Sequence, residues 1–95
     1  MAYQIELNDE GREDFKLLDN SIKLNVKKYL KKLVGVENPK AFGEALTGNL
    51  AGYWKYRVGD YRIVADIQDY KLVILVIAID HRRKIYKKLN KRLNK

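Results

Sequence analysis

The sequence predicts an α+β fold: a small, mostly antiparallel β-sheet with two N-terminal helices packed on one face and a short basic helix at the C-terminal end. Apolar residues recur at helical spacing over residues 9–33, alternate with polar residues over 53–67, and return to helical spacing over 85–93. The 95 residues contain no repeat and no linker, so we expect one domain over residues 1–95 with the element order β-α-α-β-β-β-α.

The first two predicted elements are a strand and a helix. Tyr3, Ile5 and Leu7 alternate with polar residues, a pattern typical of a half-buried strand. Asn8 is a suitable N-cap for a helix over residues 9–18, because the acidic residues that follow it favour a helix N-terminus.

A second helix is predicted between Ser21, its N-cap, and Gly35, which ends it. Its apolar face consists of Ile22, Val26, Tyr29, Leu30 and Leu33. The opposite face carries five lysines, which we interpret as a solvated surface. Residues 35–52 contain Pro39 and several glycines, so we expect them to be irregular.

Three strands are predicted in the second half of the chain. Residues 53–58 and 61–67 flank Gly59 and Asp60, a glycine-led pair that suits the two-residue loop of a hairpin. Residues 72–79 are apolar at every position, which indicates an interior strand with both faces buried.

The formal net charge of +8 lies in the C-terminal segment. Residues 1–80 carry equal numbers of basic and acidic side chains, whereas residues 81–95 are rich in lysine and arginine and contain no acid. Ile85, Leu89 and Leu93 are spaced by four residues, which predicts a basic amphipathic helix. Such a surplus indicates either a solvated terminus or a contact for a polyanion, and charge alone leaves both open.

The composition excludes several kinds of site. Cysteine is absent, which excludes disulfides, thiolate nucleophiles and cysteine-ligated zinc, and a single histidine excludes an ordinary histidine-rich metal site. We therefore expect no cofactor. The longest apolar run has eight residues and no signal-peptide pattern follows Met1, so we expect no membrane partner and a cytoplasmic location.

The predicted hairpin gathers cations on one face of the sheet. With Gly59 and Asp60 as the loop, Arg57 lies directly opposite Arg62, and Lys55 lies on the same face. The other face carries an apolar core of Trp54, Tyr56, Val58, Tyr61, Ile63 and Ala65. Opposed like charges destabilise a sheet, so the arginines either extend into water or bind an anion such as a phosphate. We favour the anion, because Lys55 adds a third cation.

A second candidate segment connects the last strand to the last helix, from His81 to Tyr86. Residues at strand ends often carry active groups. A lone histidine or tyrosine is more often structural than catalytic. Together with three cations on an adjoining face of the sheet, however, His81 and Tyr86 form a candidate site.

Three stretches of the sequence carry a family resemblance. They are Leu46-x-Gly48, Tyr56-Arg57-Val58-Gly59-Asp60-Tyr61-Arg62-Ile63 and Asp80-His81-Arg82-Arg83-Lys84-Ile85-Tyr86. These stretches resemble the RelE/ParE superfamily of bacterial and archaeal toxins from type II toxin–antitoxin systems. The resemblance extends over essentially the whole chain, and the cationic residues favour its RelE-like branch.

The resemblance implies a ribosome-dependent, metal-free endoribonuclease, an mRNA interferase that cleaves mRNA in the ribosomal A site and inhibits translation. In such enzymes the ribose 2′-OH attacks the adjacent phosphate, which leaves a 2′,3′-cyclic phosphate and a 5′-OH. The resemblance makes Tyr86 the general base and Lys55 the cation that favours its deprotonated form. It assigns the scissile phosphate to Arg62, and the phosphorane or the leaving 5′-oxygen to Arg82. His81 is a second-rank catalytic candidate.

Clustered cations suit this chemistry. An unperturbed tyrosine is a poor base at neutral pH, but nearby cations favour the phenolate and stabilise the charge that develops on a phosphate. The choice of base stays open, because some relatives use a histidine in this region and an imidazole accepts protons near neutral pH without such help. His81 is therefore an alternative to Tyr86.

The resemblance also implies partners. They are the ribosome with its mRNA and a cognate antitoxin, acidic and RelB-like, with which the chain forms a hetero-oligomer. The predicted RNA-binding residues, which attract phosphates, are Arg57, Arg83, Lys84, Lys87 and Lys88. Two alternatives stay open: a ParE-like toxin that is not a nuclease and poisons DNA gyrase by binding it, and an RNA-binding module without activity.

Overall fold

The computed structural model describes residues 2–93, so Lys95 of the basic segment lies outside the described residues. The strands are β1 (Gln4–Leu7), β2 (Glu44–Ala45), β3 (Trp54–Val58), β4 (Tyr61–Gln68) and β5 (Val73–His81). The helices are α1 (Asp9–Lys16), α2 (Asn20–Val34) and α3 (Ile85–Leu93), with short 3₁₀ turns at Pro39–Phe42, Gly48–Leu50 and Asp69–Lys71. The predicted α+β class is confirmed. Within the described residues, no helix is both long and apolar enough to cross a membrane.

The strands form one sheet in the order β1-β5-β4-β3-β2. β1 is parallel to β5 and the other neighbours are antiparallel, so the mostly antiparallel sheet and the interior position of β5 are confirmed. The expectation that residues 35–52 are wholly irregular is wrong, because Glu44 and Ala45 pair with Lys55 and Trp54. A strand of two residues is too short to show an alternating pattern in the sequence.

The hairpin of β3 and β4 has the predicted register. Its pairs are Trp54–Ala65, Lys55–Val64, Tyr56–Ile63, Arg57–Arg62 and Val58–Tyr61. Gly59 opens the two-residue loop at a φ of 58°, a left-handed conformation that glycine adopts without strain. Because side chains alternate between the faces of a strand, Lys55, Arg57 and Arg62 lie on one face, as predicted.

Each face of the sheet has its own core. Helices α1 and α2 cover one face, and the buried residues there include Val26, Leu30, Leu33, Tyr56, Ile63 and Ala65. Helix α3 covers the other face, on which Ile85 and Leu89 are fully buried against Val64 and Ala78. The predicted packing of two N-terminal helices on one face is confirmed, and α3 is an integral part of the fold.

The ends of the helices differ slightly from the predicted ones. Helix α1 ends at Lys16, two residues early, and α2 begins at Asn20. The N-cap of α2 is Asp19, not Ser21, because the backbone is already helical after the extended conformation of Asp19. Gly35 is the C-cap, as predicted.

Gly11 allows α1 to lie directly against the edge of β5. The Asn8 side chain caps α1 by accepting a hydrogen bond from the Gly11 N–H at 2.7 Å, while the Asn8 N–H donates to the Val76 carbonyl oxygen at 3.1 Å. A Cβ atom added to Gly11 would lie 2.5 Å from the same Val76 oxygen. Any side chain at this position therefore forces the helix away from the strand.

We expect Gly11→Ala to lower the free energy of unfolding by about 1–3 kcal/mol, the usual cost of overpacking an interior. The sign is opposite to the gain of about 1 kcal/mol that alanine brings to an unconstrained helix position. Urea unfolding followed by circular dichroism measures the effect. Gly35→Ala is the matched control, because its added Cβ meets no neighbouring atom closer than 3.7 Å. Equal stability of the two variants would contradict the prediction.

Candidate active site

Lys55 and Tyr86 meet on the face of the sheet that α3 covers. Lys55 Nζ donates a hydrogen bond to the phenol oxygen of Tyr86 at 2.6 Å and lies 5.2 Å from the centre of its ring. The Lys55 side chain is 18% exposed, whereas Tyr86 is 42% exposed. A largely buried ammonium group is therefore joined to an accessible phenol.

The packing of α3 produces this contact. Ile85 is buried on the same core as Val64, the residue of β4 that pairs with Lys55. Tyr86 follows Ile85 by one residue, which places it about 100° around the helix from the buried side. Two of the predicted catalytic residues thus come into contact although 31 positions separate them.

Two arginines extend the cationic face beyond Lys55. Arg57 is exposed, and its partner Arg62 is half-buried. Arg62 Nη1 donates to the carbonyl oxygens of Gly59 and Tyr61, both at 2.9 Å, which holds the guanidinium group against the hairpin loop. Within residues 2–93, no carboxylate lies within 4.0 Å of the side-chain nitrogens of Arg57 or Arg62. Arg57 and Arg62 therefore form the predicted like-charge pair, and their positive charges are available to bind an anion.

Arg82 lies at the loop end of the same hairpin. Its backbone N–H donates to the Asp60 carbonyl oxygen at 2.7 Å, and its Nε lies 4.0 Å from the Asp60 carboxylate. Its side chain is half-exposed. The backbone contact fixes where the segment after β5 passes the hairpin, while the guanidinium group stays accessible.

His81 lies on the opposite face of the sheet from Lys55 and Tyr86. It pairs with Tyr61 across β4 and β5, and its ring stands edge-on to the Tyr61 ring with the centres 5.6 Å apart. Its Nδ1 accepts a hydrogen bond from the Arg83 N–H at 3.2 Å. The sheet therefore separates His81 from Lys55 and Tyr86, although His81 adjoins the predicted catalytic residue Arg82 in the sequence.

The predicted RNA-binding cations fall into two groups. Arg57, Arg83, Lys84 and Lys87 are exposed. Lys88 differs, because it is half-buried and its Nζ lies 3.2 Å from Asp14 and 3.0 Å from Asp80. Its charge is already paired inside the protein.

Sequence reasoning missed Asp14, which connects α1, β5 and α3. Its side chain is 4% exposed, and Arg92 donates to its two oxygens at 2.7 and 2.8 Å. Lys88 and the Ile79 N–H donate as well. Asp14 is three residues after Gly11, so the two buried residues of α1 lie on the same side of the helix.

The hydrogen bonds around Asp14 determine its charge state. Burial alone would raise the pKa of this carboxyl group, but the hydrogen bonds from Arg92, the Ile79 N–H and Lys88 outweigh burial and lower the pKa below its ordinary value. The hydrogen bond to Asp14 also raises the pKa of Arg92. Asp14 is therefore an ionised anchor between the N-terminal and C-terminal helices.

An open hollow beside the Lys55–Tyr86 contact was also not predicted. Its lining includes Glu44, Thr47, Asn49 and Asn90, with Lys55 and Tyr86 at one side. These polar residues come from β2, the loop after it and α3, so no local sequence pattern predicts that they lie together. In the described part of the chain, no group of His, Cys, Asp or Glu side chains is placed to hold a metal ion.

The chain is similar to solved toxins in fold. The RelBE2 toxin–antitoxin complex of Mycobacterium tuberculosis contains a chain that is 26% identical over 86% of this chain and 100% of that one, with a TM-score of 0.78. A mutant of the Escherichia coli toxin RelE in the free state is 24% identical over 98% of this chain and 99% of that one, at a TM-score of 0.73. YafQ of Escherichia coli is 21% identical over 88% of this chain and 98% of that one, with a TM-score of 0.67.

Sequence comparison identifies the family. No curated protein sequence matches the chain significantly. The family model described as the ParE toxin of type II toxin–antitoxin system, parDE, matches residues 5–86, which include the candidate site up to Tyr86. The chain therefore belongs to the ParE toxin family of type II toxin–antitoxin systems and has the RelE-like fold of the RelE/ParE superfamily.

Proposed function

We propose that the protein is a ribosome-dependent, metal-free endoribonuclease that cleaves mRNA in the ribosomal A site. The observation that carries this proposal is the 2.6 Å hydrogen bond from Lys55 to the Tyr86 oxygen, on a face that also presents Arg57 and Arg62 without carboxylate partners among the described residues. Lys55 also forms a long ion pair with Glu44 at 3.9 Å, so the shorter contact of its ammonium group is with the phenol oxygen.

The reaction needs a base, a phosphate holder and charge stabilisation. The Tyr86 oxygen takes the proton of the ribose 2′-OH, and the 2′-oxygen forms a bond to the adjacent phosphorus. The bond from phosphorus to the 5′-oxygen then breaks, and that oxygen takes up a proton from solvent. The products are a 2′,3′-cyclic phosphate and a 5′-OH.

The cations have separate parts in this scheme. Lys55 donates to the Tyr86 oxygen, so it positions that oxygen and places a positive charge beside it, and the low exposure of Lys55 reduces screening by water. Arg62 binds the scissile phosphate through the guanidinium nitrogens that do not contact the hairpin loop. Arg82 stabilises the charge on the phosphorane or on the leaving oxygen.

The position of His81 favours Tyr86 as the base. His81 packs against Tyr61 on the far face of the sheet, so a phosphate held by Lys55 and Arg62 is out of its reach. A base must come within hydrogen-bond distance of the proton that it removes.

The exposed positive charges favour two partners, ribosomal RNA and an acidic antitoxin. Arg83, Lys84 and Lys87 are exposed on the α3 side of the molecule and contact the phosphates of ribosomal RNA by attraction that weakens with salt. A cognate antitoxin of acidic character covers the cationic face and keeps the toxin inactive. The similar RelBE2 chain comes from a toxin–antitoxin complex, which supports a hetero-oligomer.

A ParE-like function, poisoning of DNA gyrase without nuclease activity, is the second candidate. The family model that matches the chain is the ParE toxin model, which favours this alternative. The contacts of Arg62 with its own hairpin are also compatible with a structural role. Lys55 and Tyr86 have no part in that function.

Primer extension on a defined mRNA tests the proposal. We expect cuts in the A-site codon when purified protein meets ribosomes with an empty A site, and none on the same mRNA without ribosomes. Arg62→Ala is expected to lower the cutting rate about 10²-fold or more, because it removes a donor that stabilises the transition state. The control is Arg12→Ala, which changes an exposed arginine of α1. Helix α1 lies on the opposite face of the sheet from Lys55 and Tyr86. Inhibition of gyrase supercoiling by a protein that cuts no mRNA would establish the alternative.

A further inference from the structure

We propose that the hollow beside Tyr86 is a nucleobase subsite that selects a base with an exocyclic amino group and disfavours uracil. This inference rests on the proposed function, because it places the base next to the ribose that Tyr86 deprotonates. It concerns residues outside the catalytic set: Glu44, Asn49 and Asn90. The subsite would give the toxin a codon preference that phosphate contacts alone do not provide.

The hollow is large enough to hold a nucleobase. Its volume is about 340 Å³, within the range of about 300–1,000 Å³ typical of ligand pockets. The apolar part of its lining is the exposed Ala45 together with Leu46 and Leu50, both buried. Tyr86 contributes an accessible aromatic ring, on which a base can stack.

Two asparagines supply a matched donor and acceptor. Asn49 Nδ2 donates to Asn90 Oδ1 at 3.1 Å, which fixes the two amides side by side. The remaining polar atoms, Asn49 Oδ1 and Asn90 Nδ2, have no hydrogen-bond partner within residues 2–93. A paired acceptor and donor is the arrangement by which amides recognise the edge of a base.

Asn90 is also correctly positioned relative to the reaction. It follows Tyr86 by four residues on α3, so both side chains project from the same side of the helix. With Tyr86 at the ribose, Asn90 lies about one helical turn further along α3 and lines the same hollow, within reach of a base bound there.

Glu44 discriminates bases that carry an exocyclic amino group from uracil. Its carboxylate lines the hollow, is 77% exposed, and lies 3.9 Å from Lys55 Nζ. A carboxylate accepts hydrogen bonds from the amino groups of cytosine, adenine or guanine. Uracil has no exocyclic amino group and presents carbonyl oxygens, which the carboxylate repels.

Ribosomes programmed with each of the four bases at each position of the A-site codon provide the test. We expect wild-type protein to cut amino-bearing bases at least about fivefold faster than uracil at one codon position. Asn90→Ala and Glu44→Gln are each expected to reduce that ratio by about fivefold. Asn90→Ala removes a hydrogen bond to the base, and Glu44→Gln adds an amide N–H that can donate to the carbonyl oxygen of uracil. Asn25→Ala, an exposed asparagine of α2, is the matched control and keeps the wild-type ratio. Ratios within twofold of the wild type in both hollow variants would overturn the proposal.

A second measurement separates this inference from the proposed function. Adenosine, cytidine and uridine 3′-monophosphates are titrated into ¹⁵N-labelled protein, and the side-chain amide signals of Asn49 and Asn90 are followed by NMR. We expect larger shifts with the adenosine and cytidine nucleotides than with the uridine nucleotide, and loss of that difference in Glu44→Gln. Absence of cleavage on ribosomes, with these shifts present, would refute the nuclease and keep the subsite. Equal or absent shifts with all three nucleotides would refute the subsite.

Discussion

Replacing Tyr86 with Phe is expected to lower the rate of ribosome-dependent mRNA cleavage by about 10²–10⁴-fold, the usual contribution of a general base. The change removes one oxygen atom, the one to which Lys55 donates at 2.6 Å. The ring and its position beside the buried Ile85 are retained, so the fold and the affinity for ribosomes should be unchanged.

The control for this variant is Tyr70→Phe. Tyr70 is 81% exposed in the 3₁₀ turn before β5, and the same loss of a hydroxyl group there should leave cleavage unchanged. Single-turnover cutting of a programmed ribosome measures the rate of the chemical step, and co-sedimentation with ribosomes measures binding. Cleavage by Tyr86→Phe at more than a tenth of the wild-type rate would contradict the prediction.

The partnership of Lys55 and Tyr86 can be tested in the same assay. If Lys55 acts by stabilising the deprotonated Tyr86, the double variant Lys55→Ala with Tyr86→Phe should be no slower than the slower single variant. Residues that act as a unit show such non-additive effects. Multiplied losses would mean that Lys55 acts on the phosphate independently of Tyr86.

The cationic face could be predicted from the sequence because it depends on local rules. The glycine-led loop determines the register of the hairpin, and the alternation of strand side chains then places Lys55, Arg57 and Arg62 together. The contact between Lys55 and Tyr86 is not local. It depends on how Ile85 packs α3 onto the sheet, a tertiary contact that helical spacing alone does not specify.

His81 illustrates the opposite case. Sequence proximity to Arg82 and Tyr86 suggested a shared site, but β5 extends to His81, so the alternation of the strand sends its side chain to the far face. The predicted strand ended at residue 79, so His81 lay outside it, and its position on the far face could not be deduced from strand alternation. Asp14 was missed because it is one of four acidic residues in the short helix α1, and aspartate is ordinarily exposed.

The largest expected effect on stability is that of Asp14→Ala, which should lower the free energy of unfolding by about 3–5 kcal/mol, the usual cost of removing one partner from a buried ion pair. Arg92 and Lys88 would keep their charges without the carboxylate that they share, and the Ile79 N–H would lose its acceptor. Urea unfolding followed by circular dichroism measures the loss.

Glu10→Ala is the matched control for that variant. Glu10 is on the same helix and lies 3.6 Å from the same Arg92, but its side chain is 59% exposed. Exposed ion pairs contribute little, so this variant should lose no more than about 1 kcal/mol. Similar losses in the Glu10 and Asp14 variants would contradict a specific role for the buried carboxylate.

The pH dependence gives an independent test with a defined sign. Because hydrogen bonds lower the pKa of Asp14 in the folded state, the ionised carboxylate contributes stability that is fully present above the ordinary pKa of 3.8. That contribution is lost as the pH falls through the lowered pKa of the folded state. The stability difference between wild type and Asp14→Asn should therefore be constant near neutral pH and shrink below about pH 4. A difference that does not change with pH would mean that ionisation of Asp14 contributes nothing.

Asp14 also connects stability to the proposed activity. It holds Arg92 and Lys88 of α3, and the same helix carries Tyr86. Loosening this anchor should weaken the contact between Lys55 and Tyr86 and slow cleavage, even under conditions where most Asp14→Asn molecules are folded. The pattern differs from that of Tyr86→Phe, which should lose cleavage at unchanged stability. Low temperature or added osmolyte should restore activity to Asp14→Asn but not to Tyr86→Phe, because only the former still has its catalytic oxygen.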